Sequence, residues 1–99
     1  MRVSYDDEAF EEAMDAGAWY ETQQEGLVRR FLAKWKEAEK RMVADSDINR
    51  PFDGGLRQCR FEVFPYVLIY RITGPDTLQV LAVMHQSRRP GYWKDRVED

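Results

Sequence analysis

The sequence is poor in the residues that build disulfide frameworks and metal centres. Its 99 residues include one cysteine, Cys59, and one histidine, His85. A single cysteine cannot form an internal disulfide, and one cysteine with one histidine does not make a zinc site. We therefore expect a reducing compartment, no metal and no cofactor. Cys59 is interpreted as a small apolar core residue.

Long apolar runs are missing as well. No stretch approaches the roughly 20 apolar residues of a membrane span, and residues 1–10 lack the apolar core of a signal peptide. Glycine-rich phosphate-binding motifs are absent, and no order of residues suggests a Ser-His-Asp arrangement. With 43% hydrophobic and 33% charged residues, the chain has the composition of one globular domain over residues 1–99. We expect it to be cytoplasmic, without a membrane partner.

Charge is distributed unevenly along the chain. Residues 1–25 carry one basic and eight acidic residues, whereas residues 26–44 carry six basic and two acidic residues. An acidic first helix argues against a protein wrapped in nucleic acid on all sides, but it leaves room for a localised basic patch.

Three apolar runs in the second half predict consecutive strands over residues 56–64, 66–72 and 78–84. Turn-forming residues separate them at Phe64-Pro65 and at residues 73–76. Upstream, residues 2–5 alternate like an edge strand. A helix capped by Asp6 or Asp7 follows, with a predicted buried stripe of Phe10, Ala13, Met14, Gly17 and Tyr20.

A second helix is predicted from Leu27 to about Ala44, with a buried stripe of Val28, Phe31, Leu32, Trp35, Ala38 and Met42. The layout is β-α-α-β-β-β. It predicts an α+β fold of two layers, in which a helical hairpin packs on a mainly antiparallel four-stranded sheet. Because the two apolar strands look central, the pattern favours the strand order 1-4-3-2.

The period of two along a strand divides the sheet residues between two faces. The face predicted to pack on the helices carries Cys59, Phe61, Val63, Tyr66, Leu68, Tyr70, Ile72, Leu78, Val80, Ala82 and Met84. The opposite face has an apolar centre formed by Val67, Ile69, Leu81 and Val83. Such a centre is too apolar to remain exposed on a monomer, so a partner or the Tyr92-Trp93 segment should cover it.

Two segments carry a family resemblance. The runs R-F-E-V-F-P-Y-V-L-I-Y-R, at residues 60–71, and V-L-A-V-M-H-Q-S-R-R-P-G-Y-W, at residues 80–93, resemble the RelE/ParE family of type II toxin–antitoxin toxins. More narrowly, they resemble its ParE-like, plasmid stabilisation branch. The resemblance extends over nearly the whole chain, including Trp19-Tyr20, and it implies the same RelE-like fold.

The ParE-like branch implies a toxin that poisons DNA gyrase and is neutralised by a cognate antitoxin, with which it could form a hetero-oligomer. On this reading, the antitoxin covers the apolar centre and pairs acidic residues with the basic rim. The predicted antitoxin-binding residues are Arg60, Val67, Ile69, Arg71, Leu81 and Val83.

The RelE-like branch implies a different activity, ribosome-dependent cleavage of mRNA. The candidate catalytic residues would be Arg60, Glu62, Arg71 and His85, which alternation places on one sheet face. Such cleavage needs a base, an acid and cations that stabilise the pentavalent phosphate. The chain has no lysine between Lys40 and Lys94, whereas RelE-type toxins generally carry several lysines in this set. A third alternative is an inactive member that only binds an antitoxin.

The segment after the last strand combines aromatic and basic residues, the types that are enriched in interface hot spots. We interpret Arg88, Arg89, Tyr92 and Trp93 as the contact to the target. The competing interpretation is structural, with Trp93 sealing the open end of the sheet.

Overall fold

A computed structural model of the chain describes residues 1–47, 54–88 and 91–96. It contains strand β1 (Arg2–Tyr5), helices α1 (Asp7–Gln23) and α2 (Leu27–Ala44), and strands β2 (Arg57–Arg60), β3 (Tyr66–Gly74) and β4 (Thr77–His85). A short 3₁₀ helix, Lys94–Arg96, follows. Among these residues, no helix is long and apolar enough to cross a membrane.

The four strands form one mixed sheet in the order β1-β4-β3-β2, as predicted. β3 pairs antiparallel with β2 and β4, whereas β1 lies parallel to β4. β1 is short, and its last residue, Tyr5, pairs with Val80. In the part of the chain that the structure describes, residues 81–85 of β4 therefore have no strand beside them on the β1 side.

The helices begin where predicted, but the capping differs. Asp6 occupies the N-cap position of α1, yet its Oδ1 accepts a hydrogen bond from Gln79 Nε2 at 2.6 Å rather than one from the helix. At the start of α2, the carboxylate of Glu21 accepts hydrogen bonds from the backbone N–H groups of Gly26 and Val28 at 3.0–3.1 Å. These bonds lower the pKa of Glu21, because they favour the charged carboxylate.

The buried stripe of α1 differs from the prediction. Ala9, Ala13, Ala16 and Gly17 are buried, whereas Phe10 and Met14 are 49% and 48% exposed. Small residues let α1 approach its neighbours, since a Cβ at Gly17 would lie 3.2 Å from Val28 Cγ2. On α2, Phe31, Ala38 and Met42 are buried as predicted, but Leu32 is 40% exposed.

A β-bulge at Leu81 changes which side chains of β4 meet the helices. Tyr70 pairs with Val80 and Ile69 pairs with Ala82, so Leu81 is an extra residue opposite the junction between them. Beyond the bulge, the alternation is inverted. Val83 joins the core under the helices, and Ala82 and Met84 join the cluster on the opposite face, contrary to prediction.

The sheet consequently separates two apolar clusters. The larger one, the helix-side core, holds residues of both helices with Cys59, Phe61, Phe64, Leu68, Tyr70, Leu78, Val80 and Val83. The smaller one, the outer cluster, consists of Leu56, Val67, Ile69, Leu81, Ala82, Met84 and Trp93. Cys59 is buried as predicted, and burial raises the pKa of its thiol.

The first strand of the meander ends earlier than predicted. β2 stops at Arg60, and the chain then turns tightly, with Phe64 N donating to Glu62 O at 2.8 Å. Val63 lies at the centre of this three-residue turn with a φ of 74°, a conformation that strains a β-branched residue. The side chain of Val63 is 68% exposed and that of Ile72 is 39% exposed. Both were predicted to lie in the core, and neither does.

Candidate interaction surface

The open edge of β4 is covered by the side chain of Glu12 rather than by a strand. Glu12, on α1, accepts a hydrogen bond through Oε1 from the backbone N–H of Val83 at 3.0 Å. Arg96, from the 3₁₀ helix, donates through Nη1 to the carbonyl of Leu81 at 3.0 Å. Glu12 and Arg96 also pair with each other through two contacts of 3.1 Å. The pair thus satisfies edge groups that β1 does not reach.

The surroundings of Arg96 strengthen this ion pair. Its Nε lies 3.2 Å from Glu8 Oε2, so two carboxylates of α1 contact one guanidinium. The side chains of Arg96 and Glu12 are 11% and 15% exposed, which limits screening by solvent. Burial works against the charge of Arg96, but the hydrogen bonds and charges of Glu12 and Glu8 outweigh it and raise the pKa of Arg96.

The segment from residue 91 to 96, the C-terminal tail, lies over the outer cluster. Trp93 is 1% exposed and packs with Val67, Ile69 and Leu81. The tail therefore covers most of the apolar centre, one of the two coverings predicted for it. For Trp93, the structure favours the sealing interpretation over direct contact with a target.

Tyr92 and Arg88 remain partly accessible beside the buried tryptophan. The guanidinium carbon of Arg88 lies 3.6 Å from the centre of the Tyr92 ring, and Arg88 Nη1 lies 3.5 Å from Glu12 Oε2. Burial, together with the nearby carboxylate of Glu12, raises the pKa of Tyr92. Arg89, also predicted to contact the target, lies outside the described residues.

The predicted antitoxin-binding residues do not form one exposed patch. Val67, Ile69 and Leu81 lie under Trp93, and Val83 lies in the helix-side core. Of the two arginines, Arg60 is exposed, and Arg71 is half-buried with its Nε donating to Gln79 Oε1 at 2.9 Å.

The four candidate catalytic residues do not converge either. His85 pairs with Tyr66 at one end of the β3–β4 ladder, and Arg71 pairs with Gln79 near the other. Tyr66 and Arg71 are five positions apart on β3, which is about 17 Å at ~3.3 Å per residue. His85 also belongs to the helix side, since its ring contacts Tyr66 at 5.1 Å between centroids. The prediction that these four residues share one face of the sheet was therefore wrong. The bulge at Leu81 turns the side chain of His85 toward the helices instead of away from them.

Glu62 and Arg60 contact α2 rather than a common centre. Glu62 lies 3.9 Å from Lys34 Nζ and 3.8 Å from Arg41 Nη1, and the guanidinium of Arg41 donates to the carbonyl of Arg60. Nδ1 of His85 accepts a hydrogen bond from the backbone N–H of Ser87 at 3.0 Å.

A groove of about 260 Å³ opens beside the ion pair, between α1 and the end of β4. Its wall includes Trp19, which is 57% exposed, with Tyr66, His85 and Arg88. Exposed tryptophan, tyrosine and arginine are typical of interface hot spots, so this groove is the best candidate contact surface on the described chain.

Sequence reasoning missed Glu12 and Trp19 as parts of this surface. In the sequence, Glu12 is one of the eight acidic residues within residues 1–25, and nothing distinguishes it from the others. Its partner Arg96 lies 84 residues further along the chain, and no local pattern links the two. Trp19 carried a signal, because it falls on the side of α1 opposite the stripe that meets α2.

Replacing Glu12 by Gln should lower the free energy of unfolding by about 2 kcal/mol, since hydrogen bonds to charged groups contribute roughly 1.5–3 kcal/mol. The matched control is Glu37→Gln, which breaks the more exposed Lys34–Glu37 pair and should cost less than about 0.5 kcal/mol. Urea unfolding measures both. A double-mutant cycle with Arg96→Met should show coupling, and additive effects would contradict the pairing.

Deleting residues 91–99 should lower the melting temperature by well over 10 °C. Removal of a buried tryptophan side chain alone costs roughly 3–5 kcal/mol, and ~1 kcal/mol shifts a domain of this size by about 4–8 °C. Deleting only residues 97–99 keeps Trp93 and Arg96, so it should change the melting temperature by a few degrees at most. If both deletions shift it equally little, the tail is not part of the fold.

The chain is similar to known toxins in both sequence and fold. Residues 3–90 match the family model of the ParE toxin of the type II toxin–antitoxin system parDE. A solved chain of the chromosomal ParDE TA system from P. aeruginosa has a similar fold, with a TM-score of 0.69 at 21% sequence identity. The match covers 86% of this chain and 95% of that one. Among curated protein sequences, none matches the chain.

Proposed function

The chain belongs to the ParE toxin family of type II toxin–antitoxin systems, and on this premise we propose that it poisons DNA gyrase and is neutralised by a cognate antitoxin. In this proposal, the toxin is cytoplasmic and binds both the antitoxin and gyrase there. The toxin acts by binding and has no hydrolytic activity of its own.

We favour gyrase poisoning over mRNA cleavage because the candidate catalytic residues lie far apart in the structure. A general base and a general acid must both come within hydrogen-bonding distance of the reacting groups, about 3 Å. The arrangement here keeps His85 and Arg71 at opposite ends of the β3–β4 ladder. Glu62, the other proton-transfer candidate, has α2 cations as neighbours instead of His85. This geometry therefore fits a toxin that acts by binding its target better than it fits an enzyme that cleaves mRNA.

The contact with gyrase is proposed at the groove beside the Glu12–Arg96 pair. Trp19 and Arg88 would supply accessible side chains from the groove, Tyr92 would add the ring that lies against Arg88, and Arg89 follows Arg88 in the chain. Trp93 contributes indirectly in this proposal, because it holds the tail against the sheet.

The antitoxin is proposed to bind across the outer face of the sheet. Arg60 and Arg71 are available to acidic residues of the antitoxin. Contact with Val67, Ile69 or Leu81 would require the tail to move, since Trp93 covers them. Charge reversal at Arg60 and Arg71 should weaken antitoxin binding by about 10-fold for each charge-assisted hydrogen bond lost. Reversal at the exposed Arg2 provides the control.

The decisive assay compares supercoiling with translation. Purified toxin should inhibit supercoiling by gyrase, and the antitoxin should relieve the inhibition. Variants Arg71→Ala and Glu62→Ala, which lie outside the groove, should retain this inhibition, whereas Trp19→Ala and Arg88→Ala should lose it. Site-specific cuts in mRNA on programmed ribosomes, reduced about 10²-fold or more by His85→Ala, would support the nuclease alternative instead. A chain that binds antitoxin but affects neither process would be the inactive member.

A further inference from the structure

The outer face of the helical hairpin, which points away from the sheet, carries an apolar strip. Phe10 and Met14 on α1 are 49% and 48% exposed, and Leu32 on α2 is 40% exposed. The ring of Phe10 lies 5.8 Å from that of Trp35, so the strip follows the groove between the two helices. These residues account for the difference between the predicted and observed buried stripes.

Opposite charges border the strip on its two sides. On α1, Asp7, Glu11, Met14 and Ala18 recur at intervals of four, three and four residues, so they lie on one helical face, and all are exposed. On α2, Arg29, Leu32, Lys36 and Lys40 recur at intervals of three, four and four residues, and all are exposed. The hairpin thus presents an acidic ridge, an apolar groove and a basic ridge, side by side.

The antiparallel packing sets which residues of α1 and α2 lie at the same height. Phe10 is level with Trp35, and Gly17 is level with Val28 and Phe31. By extension along the helices, Asp7 is level with Lys40, Glu11 with Lys36, and Met14 with Leu32. Equal heights matter because a two-fold axis parallel to the helices preserves height while exchanging the two ridges.

We propose that this face binds a second copy of the same chain, with α1 of each copy lying over α2 of the other. Glu11 would then face Lys36 of the second copy, Asp7 would face Lys40, and Met14 would pack on Leu32 at the centre. The alternative two-fold axis, perpendicular to the helices, would place acidic ridge on acidic ridge and basic on basic. Charge therefore selects the first arrangement, in which four helices form an antiparallel bundle.

The size of the face indicates a weak dimer. Helices of 17 and 18 residues are about 26 Å long, and two helices side by side are about 20 Å wide. The face therefore covers about 500 Å² on each copy, or about 1,000 Å² in total. This area is at the lower limit for a specific interface, so we expect a Kd on the order of 10–100 µM.

Sedimentation velocity on the full chain tests the proposal. The wild type should show a dimer fraction that rises with concentration and falls with added salt, which screens the ridges. Lys36→Glu should weaken association about 10-fold or more. Arg30→Glu is the matched control, because it makes the same charge change on another exposed face of α2 and should leave association unchanged. Thermal melting of each variant confirms that it is folded.

A mixing experiment tests the geometry. A chain with Asp7→Lys and Glu11→Lys has two basic ridges, and a chain with Lys36→Glu and Lys40→Glu has two acidic ridges. Each should be monomeric alone, and their mixture should form a heterodimer. A wild type that stays monomeric at millimolar concentration, or equal effects of Lys36→Glu and Arg30→Glu, would overturn the proposal. Loss of antitoxin binding in a monomeric Met14→Glu variant would assign the face to the antitoxin instead.

Discussion

The ion pair between Glu12 and Arg96 closes the edge of the sheet that β1 leaves open. Backbone groups at a sheet edge must bind water or another partner, and Glu12 and Arg96 take this place at Val83 and Leu81. The same pair joins three parts of the chain, namely α1, β4 and the C-terminal tail. We therefore expect the position of the tail, and with it the burial of Trp93, to depend on this contact.

The outer cluster follows from that anchoring. A domain of 99 residues has little apolar surface to spare, and a sheet covered on one side only would leave Val67, Ile69 and Leu81 in water. Trp93 covers them, and Arg88 with Tyr92 remains at the rim. The residues beside the ion pair that remain accessible are those that the core does not bury, which supports our proposal that the target contact lies at this rim and the adjacent groove.

The order of elements and strands was predictable because it depends on short-range patterns. Apolar runs and turn residues located the strands, and helical periodicity placed α2 from Leu27 to about Ala44, in agreement with the structure. The failures have specific causes. One extra residue at Leu81 inverted the faces of Ala82, Val83 and His85, and no local pattern marks that bulge. The Glu12–Arg96 contact joins residues too far apart for any periodicity to reveal.

Hydrogen exchange at the amide of Val83 tests the central role of this ion pair most directly. Because that N–H donates to the carboxylate of Glu12, it should exchange about as slowly as the amides of β3. Arg96→Met should accelerate exchange at Val83 while leaving the amides of α2 nearly unchanged. Rapid exchange at Val83 in the wild type would show that the edge is open in solution and that the tail is not held there.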